Sequence, residues 1–288
     1  MLNGKVEIDT GASSGIGAAL AVQISREGAA VILAARRKDK LERLAAGINS
    51  AGGTALTVSA DVTKRGEAEA LVRTAVERFG RLDILVNNAG RGHFASVEDT
   101  TDEVIRSMFE LNVYSLWYTT RPALTQMKKQ GSGHIINIAS MAGKIGYPYN
   151  SAYVAAKHAC VGFTHALRME LVETGVHATV VCPAGVLTAW AGETEGGSML
   201  PFFSASGPVI KRLASERGTS LPAIEGVLPA EDVAGQIVKC IYNPVAELFT
   251  HKGSVEFLRL IAGDREEAEK HQIPVVLGER EVYERLKR

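Results

Sequence analysis

The segment that most restricts this chain runs from residue 10 to residue 17: Thr10-Gly11-Ala12-Ser13-Ser14-Gly15-Ile16-Gly17. It succeeds a short apolar-leaning stretch and opens a helical pattern carried by Ile16, Ala19, Leu20 and Ile24. A glycine-rich turn between strand and helix lets the backbone approach a pyrophosphate closely, and the helix N-terminus offers free N–H groups to the anion. The spacing is G-x3-G-x-G, weak evidence alone, with a plain tight turn as the alternative reading. The pattern of the downstream chain decides between the two. β-rich runs at 6–10, 30–34, 54–59, 82–86, 134–139, 177–182 and 246–250 alternate with helical patterns near 15–27, 38–50, 64–79, 102–129, 151–174 and 230–242. This predicts an α/β fold: a doubly wound, Rossmann-type parallel sheet of about seven strands with helices on both faces. Such a sheet binds ligands at the carboxyl ends of its strands. At those ends lie the 10–17 loop, Arg36 and Arg37, Asp61, residues 87–90, Ser140 and residues 183–188.

Tyr153 and Lys157 stand four apart in a helical pattern, so both point to one side of the helix. An ammonium beside a phenol favours phenolate, which would bring the phenol from about 10 toward neutrality and make it a working acid or base. Spacing alone proves little: with 7 Tyr and 13 Lys in 288 residues, chance supplies about 0.3 such pairs. A second copy, Tyr283–Lys287, lies in a charge-rich C-terminal stretch with Lys270 thirteen residues upstream, and reads as chance. The first copy has Ser140 at that distance.

Formal charge is zero with no Lys/Arg run, which argues against nucleic acid or an anionic membrane as partner. Cys160, Cys182 and Cys240 are scattered without metal or disulfide spacing, and the histidines show no metal-ligand pattern. No metal is expected. The glycine loop begins at residue 10, leaving no room for a signal peptide, and no apolar run reaches spanning length, so a cytoplasmic protein is expected. Residues 189–229 break the alternation and hold four of the nine prolines. A long loop there reads as a substrate lid. Beyond residue 250 come a polar helical stretch at 264–272, then 274–277 and a charged tail. The expected organisation is a catalytic domain over 1–250, with 251–288 packed on it as an extension.

With the glycine loop, Asn87-Asn88-Ala89-Gly90, Ser140 and Tyr153-x-x-x-Lys157 in this order, the chain resembles the short-chain dehydrogenases/reductases. The resemblance covers roughly residues 4–250. It implies hydride transfer between a nicotinamide and a ketone/alcohol pair, a small-molecule substrate, and assembly as a homodimer or homotetramer. It implies Tyr153 as proton donor or acceptor, Lys157 as its modulator and ribose ligand, Ser140 on the substrate oxygen, and Asn112 positioning a proton-relay water. For the cofactor it implies Gly11, Ser13, Ser14, Gly15, Ile16 and Gly17 around the phosphates, with Asp61 and Val62 on the adenine. Asn88, Ala89 and Gly90 would line the path between the two halves, and Pro183, Gly185, Val186 and Thr188 would orient the carboxamide. The family's usual Pro-Gly is here Pro183-Ala184-Gly185.

The second strand ends Ala34-Ala35-Arg36-Arg37. An acid at Ala35 would hold a ribose 2′-hydroxyl, whereas two guanidiniums pair with a 2′-phosphate. NADP(H) is therefore favoured over NAD(H). Glu7 and Asp9 stand where a strand covered on both faces wants apolar side chains, and are expected to weaken stability or cofactor affinity. His93, Phe94, Tyr147, Tyr149 and Trp190 flank the catalytic segments as candidates for the pocket wall. The leading reading is an NADPH-dependent carbonyl reductase. An oxidative NAD(P) sugar or alcohol dehydrogenase and a non-catalytic NADP-binding regulator are the alternatives.

Overall fold

The computed structural model describes residues 1–195, 198–219, 224 and 226–287. Seven strands form one parallel sheet: β1 (Val6–Thr10), β2 (Ala30–Ala35), β3 (Thr54–Ser59), β4 (Ile84–Asn87), β5 (Gly133–Ile138), β6 (Val176–Cys182) and β9 (Glu247–Phe249), in the order β3-β2-β1-β4-β5-β6-β9. A short pair, β7 (Gly185–Leu187) and β8 (Val227–Pro229), stands apart. The order reverses between β1 and β4, and this switch point opens a crevice above their carboxyl ends.

Helices cover both faces. On one, α1 (Gly15–Arg26), α2 (Lys38–Ser50) and α8 (Ala230–Tyr242) send Leu20, Ile24, Leu41, Ile48, Val233 and Ile237 onto Val31, Leu33, Ile84 and Val86. On the other, α3 (Arg65–Phe79), α5 (Ser115–Gln130) and α6 (Ser151–Glu170) send Leu71, Val72, Met127 and Leu167 onto Ile8, Ile32 and Leu85. Alternation within each strand divides these two cores, as a pleat with period two requires.

Three elements differ from the sequence expectation. The 102–129 helix is broken into α4 (Asp102–Phe109) and α5 by a π-helical turn, Glu110–Tyr114. Much of the expected 189–229 loop is helical: a 3₁₀ turn at Ala189–Gly192 precedes α7 (Leu200–Glu216), which tolerates Pro201 in its first turn and carries Pro208 inside. Residues 196, 197, 220–223 and 225 of that segment lie outside the described residues. After α9 (Ser254–Gly263), the stretch read as interrupted at Pro274 is one helix, α10 (Arg265–Leu286), capped by the Asp264 carboxylate accepting from the Glu267 amide at 3.0 Å. Pro274 is buried, and tertiary packing outweighs the backbone bond it removes.

Candidate active site

Thr10, at the end of β1, ties the two loops of the crevice together. Its hydroxyl accepts from the amides of Asn88 at 3.0 Å and Ala89 at 3.2 Å, and donates to Val86 O at 3.1 Å. Asn88 Nδ2 returns a bond to Thr10 O at 2.9 Å. Gly11 holds φ +75°, and a Cβ there would stand 2.9 Å from Ala89 Cα. Only glycine allows these two backbones to come so close. Ser14 precedes α1 as its cap residue but makes no side-chain cap bond, so the first-turn N–H groups stay open to an anion.

A cleft of about 460 Å³ runs above these loops. Of the expected cofactor residues, it is lined by Gly11, Ser13, Ser14, Gly15, Ile16, Arg36, Arg37, Asp61, Val62, Asn88, Ala89, Gly90, Pro183, Val186 and Thr188, and by Ser140, Tyr153 and Lys157. Gly17, Gly185 and Asn112 do not reach its wall. Gly185 is turned away, its carbonyl accepting from His251 Nε2 at 2.8 Å, and Ala184 takes the lining place. Alanine thus stands directly after Pro183, where the family's usual Pro-Gly would put glycine. The sequence reading missed Arg91 and Glu193; charges next to a glycine turn and inside a presumed loop were the available signals.

Arg37 is folded onto the glycine loop. Its guanidinium donates to Ser13 Oγ at 2.9 and 3.1 Å, to Ser14 Oγ at 2.6 Å and to the Glu193 carboxylate at 2.9 Å. Arg36 faces Asp61 instead. Desolvation alone would raise the Asp61 carboxyl, but the Thr63 hydroxyl at 2.7 Å and amide at 3.0 Å, with Arg36 and Lys64 nearby, hold it below the usual value. Residues 188–195 bridge the cleft: Thr188 lies against Gly15, Trp190 packs on Tyr153 at 5.3 Å between ring centroids, and Glu195 pairs with Arg91 and accepts from Ser107 Oγ at 2.9 Å.

Ser140 comes just after β5, and its hydroxyl accepts from the Ala142 amide at 3.1 Å. It lies close enough to the Tyr153 phenol to act on it. Tyr153 and Lys157 face the same side of α6, both buried. The expected lowering of the phenol is not found. Burial raises Tyr153, with the Ser140 hydroxyl only partly opposing it. The Lys157 ammonium reaches past the ring, 5.7 Å from its centroid, to donate to Ile138 O at 2.8 Å, and burial lowers it.

Asn112 sits in the π-helical turn, a distortion frequent at functional sites. Its amide nitrogen donates to Met108 O at 3.0 Å and Arg91 O at 3.2 Å, leaving Oδ1 buried without a partner. A Cβ on Gly90 would stand 2.8 Å from that oxygen and 3.4 Å from Lys157 Nζ, so the two groups flank one small space.

Phe94 and Tyr149 join Phe202 of α7 and Tyr283 of α10 in an aromatic cluster. Tyr149 and Tyr283 stack at 3.9 Å. Tyr283–Lys287, read as a chance repeat, is a clasp: the Tyr283 hydroxyl accepts from the Ser96 amide at 3.0 Å, and Lys287 Nζ meets Asp99 at 2.5 Å.

The family described as short chain dehydrogenase matches residues 5–197. Ketoacyl reductase HetN of Nostoc sp. is 33% identical over 257 residues, covering 88% of this chain and 81% of its own length. D-beta-hydroxybutyrate dehydrogenase of Cupriavidus necator is 41% identical over 193 residues, covering 65% of this chain and 73% of that one. A short chain dehydrogenase/reductase from Burkholderia phymatum, solved in complex with NAD, superposes with a TM-score of 0.78 at 28% identity, covering 92% of this chain and 95% of that one. An alcohol dehydrogenase from Thermococcus sibiricus, complexed with 5-hydroxy-NADP, does so with 0.70 at 28% identity, covering 86% and 96%. With the fold and cleft described, the chain belongs to the short-chain dehydrogenases, oxidoreductases acting on CH–OH groups. No helix among the described residues is long and apolar enough to cross a membrane.

Proposed function

We propose that this protein is an NADPH-dependent carbonyl reductase acting on a ketone/alcohol pair. The observation that carries the reading is that Ser140, Tyr153 and Lys157 meet on the wall of the cleft floored by the glycine loop. That cleft fits a dinucleotide. The first turn of α1 is open to phosphate, Gly11 and Gly90 leave room that a Cβ would fill, and Asn112 Oδ1 has no partner. Gly11, Ser13, Ser14, Gly15 and Ile16 would hold the phosphates, Asp61 and Val62 the adenine, Asn88 to Gly90 the central path, and Pro183, Val186 and Thr188 the carboxamide. Ala35, Arg36 and Arg37 suit a 2′-phosphate and are the ground for preferring NADPH. Of the two solved relatives, one carries NAD and the other an NADP derivative, so the preference rests on these side chains.

When bound, the nicotinamide supplies the hydride for the carbonyl carbon. The chain does the rest. Ser140 and Tyr153 aim two hydroxyls at one substrate oxygen and stabilise the charge that develops there. Tyr153 gives that oxygen its proton, and burial keeps the phenol protonated at neutral pH, the form reduction needs. Lys157 and Asn112 Oδ1 flank a space in which a water would restore the proton. The 3₁₀ turn at Ala189–Gly192 and α7, with α10 packed across α7, cover the substrate side. The test is NADPH and NADH consumption, measured separately against a panel of ketones and aldehydes. Turnover with NADPH that disappears in Tyr153→Phe supports the reading; equal or better use of NADH refutes the arginine argument.

A further inference from the structure

β6 and β9 run side by side, with Cys182 opposite Phe249 as their last register pair. Two residues beyond each of these positions the chain places Ala184 and His251 next to one another, at the carboxyl edge of the sheet where the cleft lies. The His251 ring is buried and meets the neighbouring backbone with both of its nitrogens. Nδ1 stands 3.3 Å from the Ala184 amide nitrogen, and Nε2 stands 2.8 Å from the Gly185 carbonyl oxygen. A backbone N–H only donates and a carbonyl only accepts, so Nε2 carries the ring hydrogen and Nδ1 is the acceptor. The Thr250 hydroxyl, 2.8 Å from Nδ1, then donates to the same nitrogen. One imidazole thus grips backbone groups of two adjacent residues.

The gripped segment is part of the cleft wall. Pro183, Ala184, Val186 and Thr188 line the cleft, whereas His251 stands behind them. On the other side the Pro183 carbonyl accepts from the Met141 amide at 2.8 Å and, more weakly, from Ser140 Oγ at 3.4 Å. The wall is therefore slung between the loop that carries Ser140 and the His251 ring. The ring is anchored in turn, because Gln236 of α8 donates to Thr250 O at 3.0 Å. Beyond it lies a groove of about 460 Å³ bordered by Gln236, Lys239 and Lys252. From that side, directional bonds rather than packed side chains brace the wall.

We propose that His251 is a positioning residue for the nicotinamide half of the cofactor: by holding the Ala184 amide and the Gly185 carbonyl, it sets the wall against which that half rests. This deepens the reductase reading and rests on a nicotinamide dinucleotide occupying the cleft. Without the ring nitrogens, a donor and an acceptor lose their partners, and the segment relieves the loss by turning toward water. That turn displaces Pro183, Val186 and Thr188, while the far end of the cleft at Arg36, Asp61 and Val62 keeps its geometry.

Calorimetric titration of the full chain compares NADPH with 2′-phospho-ADP-ribose, and NADH with ADP-ribose, the second of each pair lacking the nicotinamide. His251→Phe keeps a ring and removes both nitrogens. Its Kd for the dinucleotides is expected to rise about tenfold, with Kd for the truncated ligands within about twofold of wild type. His251→Gln returns a donor near the Nε2 position and His251→Asn an acceptor near Nδ1, so each should recover part of the loss. A merely structural role would weaken both members of each pair alike. Equal weakening of both, or no weakening of either, overturns the proposal. If His251→Phe does not fold, the other two variants decide: a loss confined to the dinucleotides supports it, and a uniform change overturns it. Ketone turnover is followed in parallel. Absence of turnover, with the loss still confined to the dinucleotides, sinks the reductase reading alone; a wild type that binds neither dinucleotide overturns both.

Discussion

Replacing Glu7 by leucine and Asp9 by valine exchanges two buried carboxyls for the side chains that a central strand of a parallel sheet normally carries. Both acids are fully enclosed in β1, pointing with Val31, Leu33, Ile84 and Val86 into the core under α1 and α8, and none of their four oxygens has a hydrogen-bond partner. A buried polar group left unsatisfied costs about 1–3 kcal/mol, and a buried valine or leucine contributes about 1.5–3 kcal/mol relative to exposure. Allowing for the apolar stem already present in each acid, roughly 2–3 kcal/mol of added stability per site is expected. For a chain of this size that corresponds to about 4–10 °C in Tm. The double variant should gain less than the sum, because the two sites share one face two residues apart.

The pH dependence has a definite sign. Burial raises both carboxyls well above their ordinary values, with the Asp9 charge adding to the effect on Glu7. The folded chain therefore keeps protons that the unfolded chain releases above about pH 4, so wild-type stability falls as pH rises from there. Thermal melts of wild type and variants from about pH 5 to about pH 9 are the assay. The gain should widen with pH, and the double variant's dependence of Tm on pH should flatten. If the variants melt within about 1 °C of wild type at every pH, the burial argument is refuted.

Tyr153→Phe should lower turnover by at least about 10³-fold with Tm unchanged, since it removes the proton donor and no packing. With the phenol raised by burial, reductive kcat of the wild type should stay level to about pH 9, while alcohol oxidation climbs over the same range; stopped-flow pH profiles check this. Glu193→Ala releases Arg37 for a 2′-phosphate and should tighten NADPH more than NADH, about threefold or more by fluorescence titration. Tyr283→Ala removes the Tyr149 stack and the Ser96 bond, and should cost roughly 2 kcal/mol in chemical unfolding while raising KM for substrate.

The sheet was legible because each strand run was short, apolar and bounded, and the carboxyl-end loops carried glycine, Asn-Asn or paired arginines. The helix spacing of Tyr153 and Lys157 placed both on one face correctly. It did not tell where a four-carbon stem ends, and Lys157 reaches the Ile138 carbonyl rather than the phenol. Gly185 was misplaced because the reading followed the glycine, whereas the residue directly after Pro183, here Ala184, lines the wall and the Gly185 carbonyl is held by His251. The π-helical turn at Asn112 leaves no mark in apolar periodicity, since one extra residue per turn only shifts the stripe. α7 and α10 were obscured by Pro208 and Pro274, whose local preference is overruled by packing between the two helices. The role of Tyr283 and Lys287 lies in contacts with Asp99, 184 and 188 residues away in sequence, and no local pattern encodes those.

The bridge at residues 188–195 touches three separate loops: Thr188 meets Gly15, Glu193 holds Arg37, and Glu195 is fastened to Arg91 and Ser107. A phosphate that draws Arg37 away from Glu193 therefore acts on the same segment that sets Trp190 against Tyr153. Two ligands that bias one shared segment obey reciprocity: the factor by which the first alters the affinity of the second is returned unchanged. On the proposed reading, the phosphate end of the nucleotide and the ketone would thus be linked in free energy through one short run of backbone, apart from the contact at which the hydride passes.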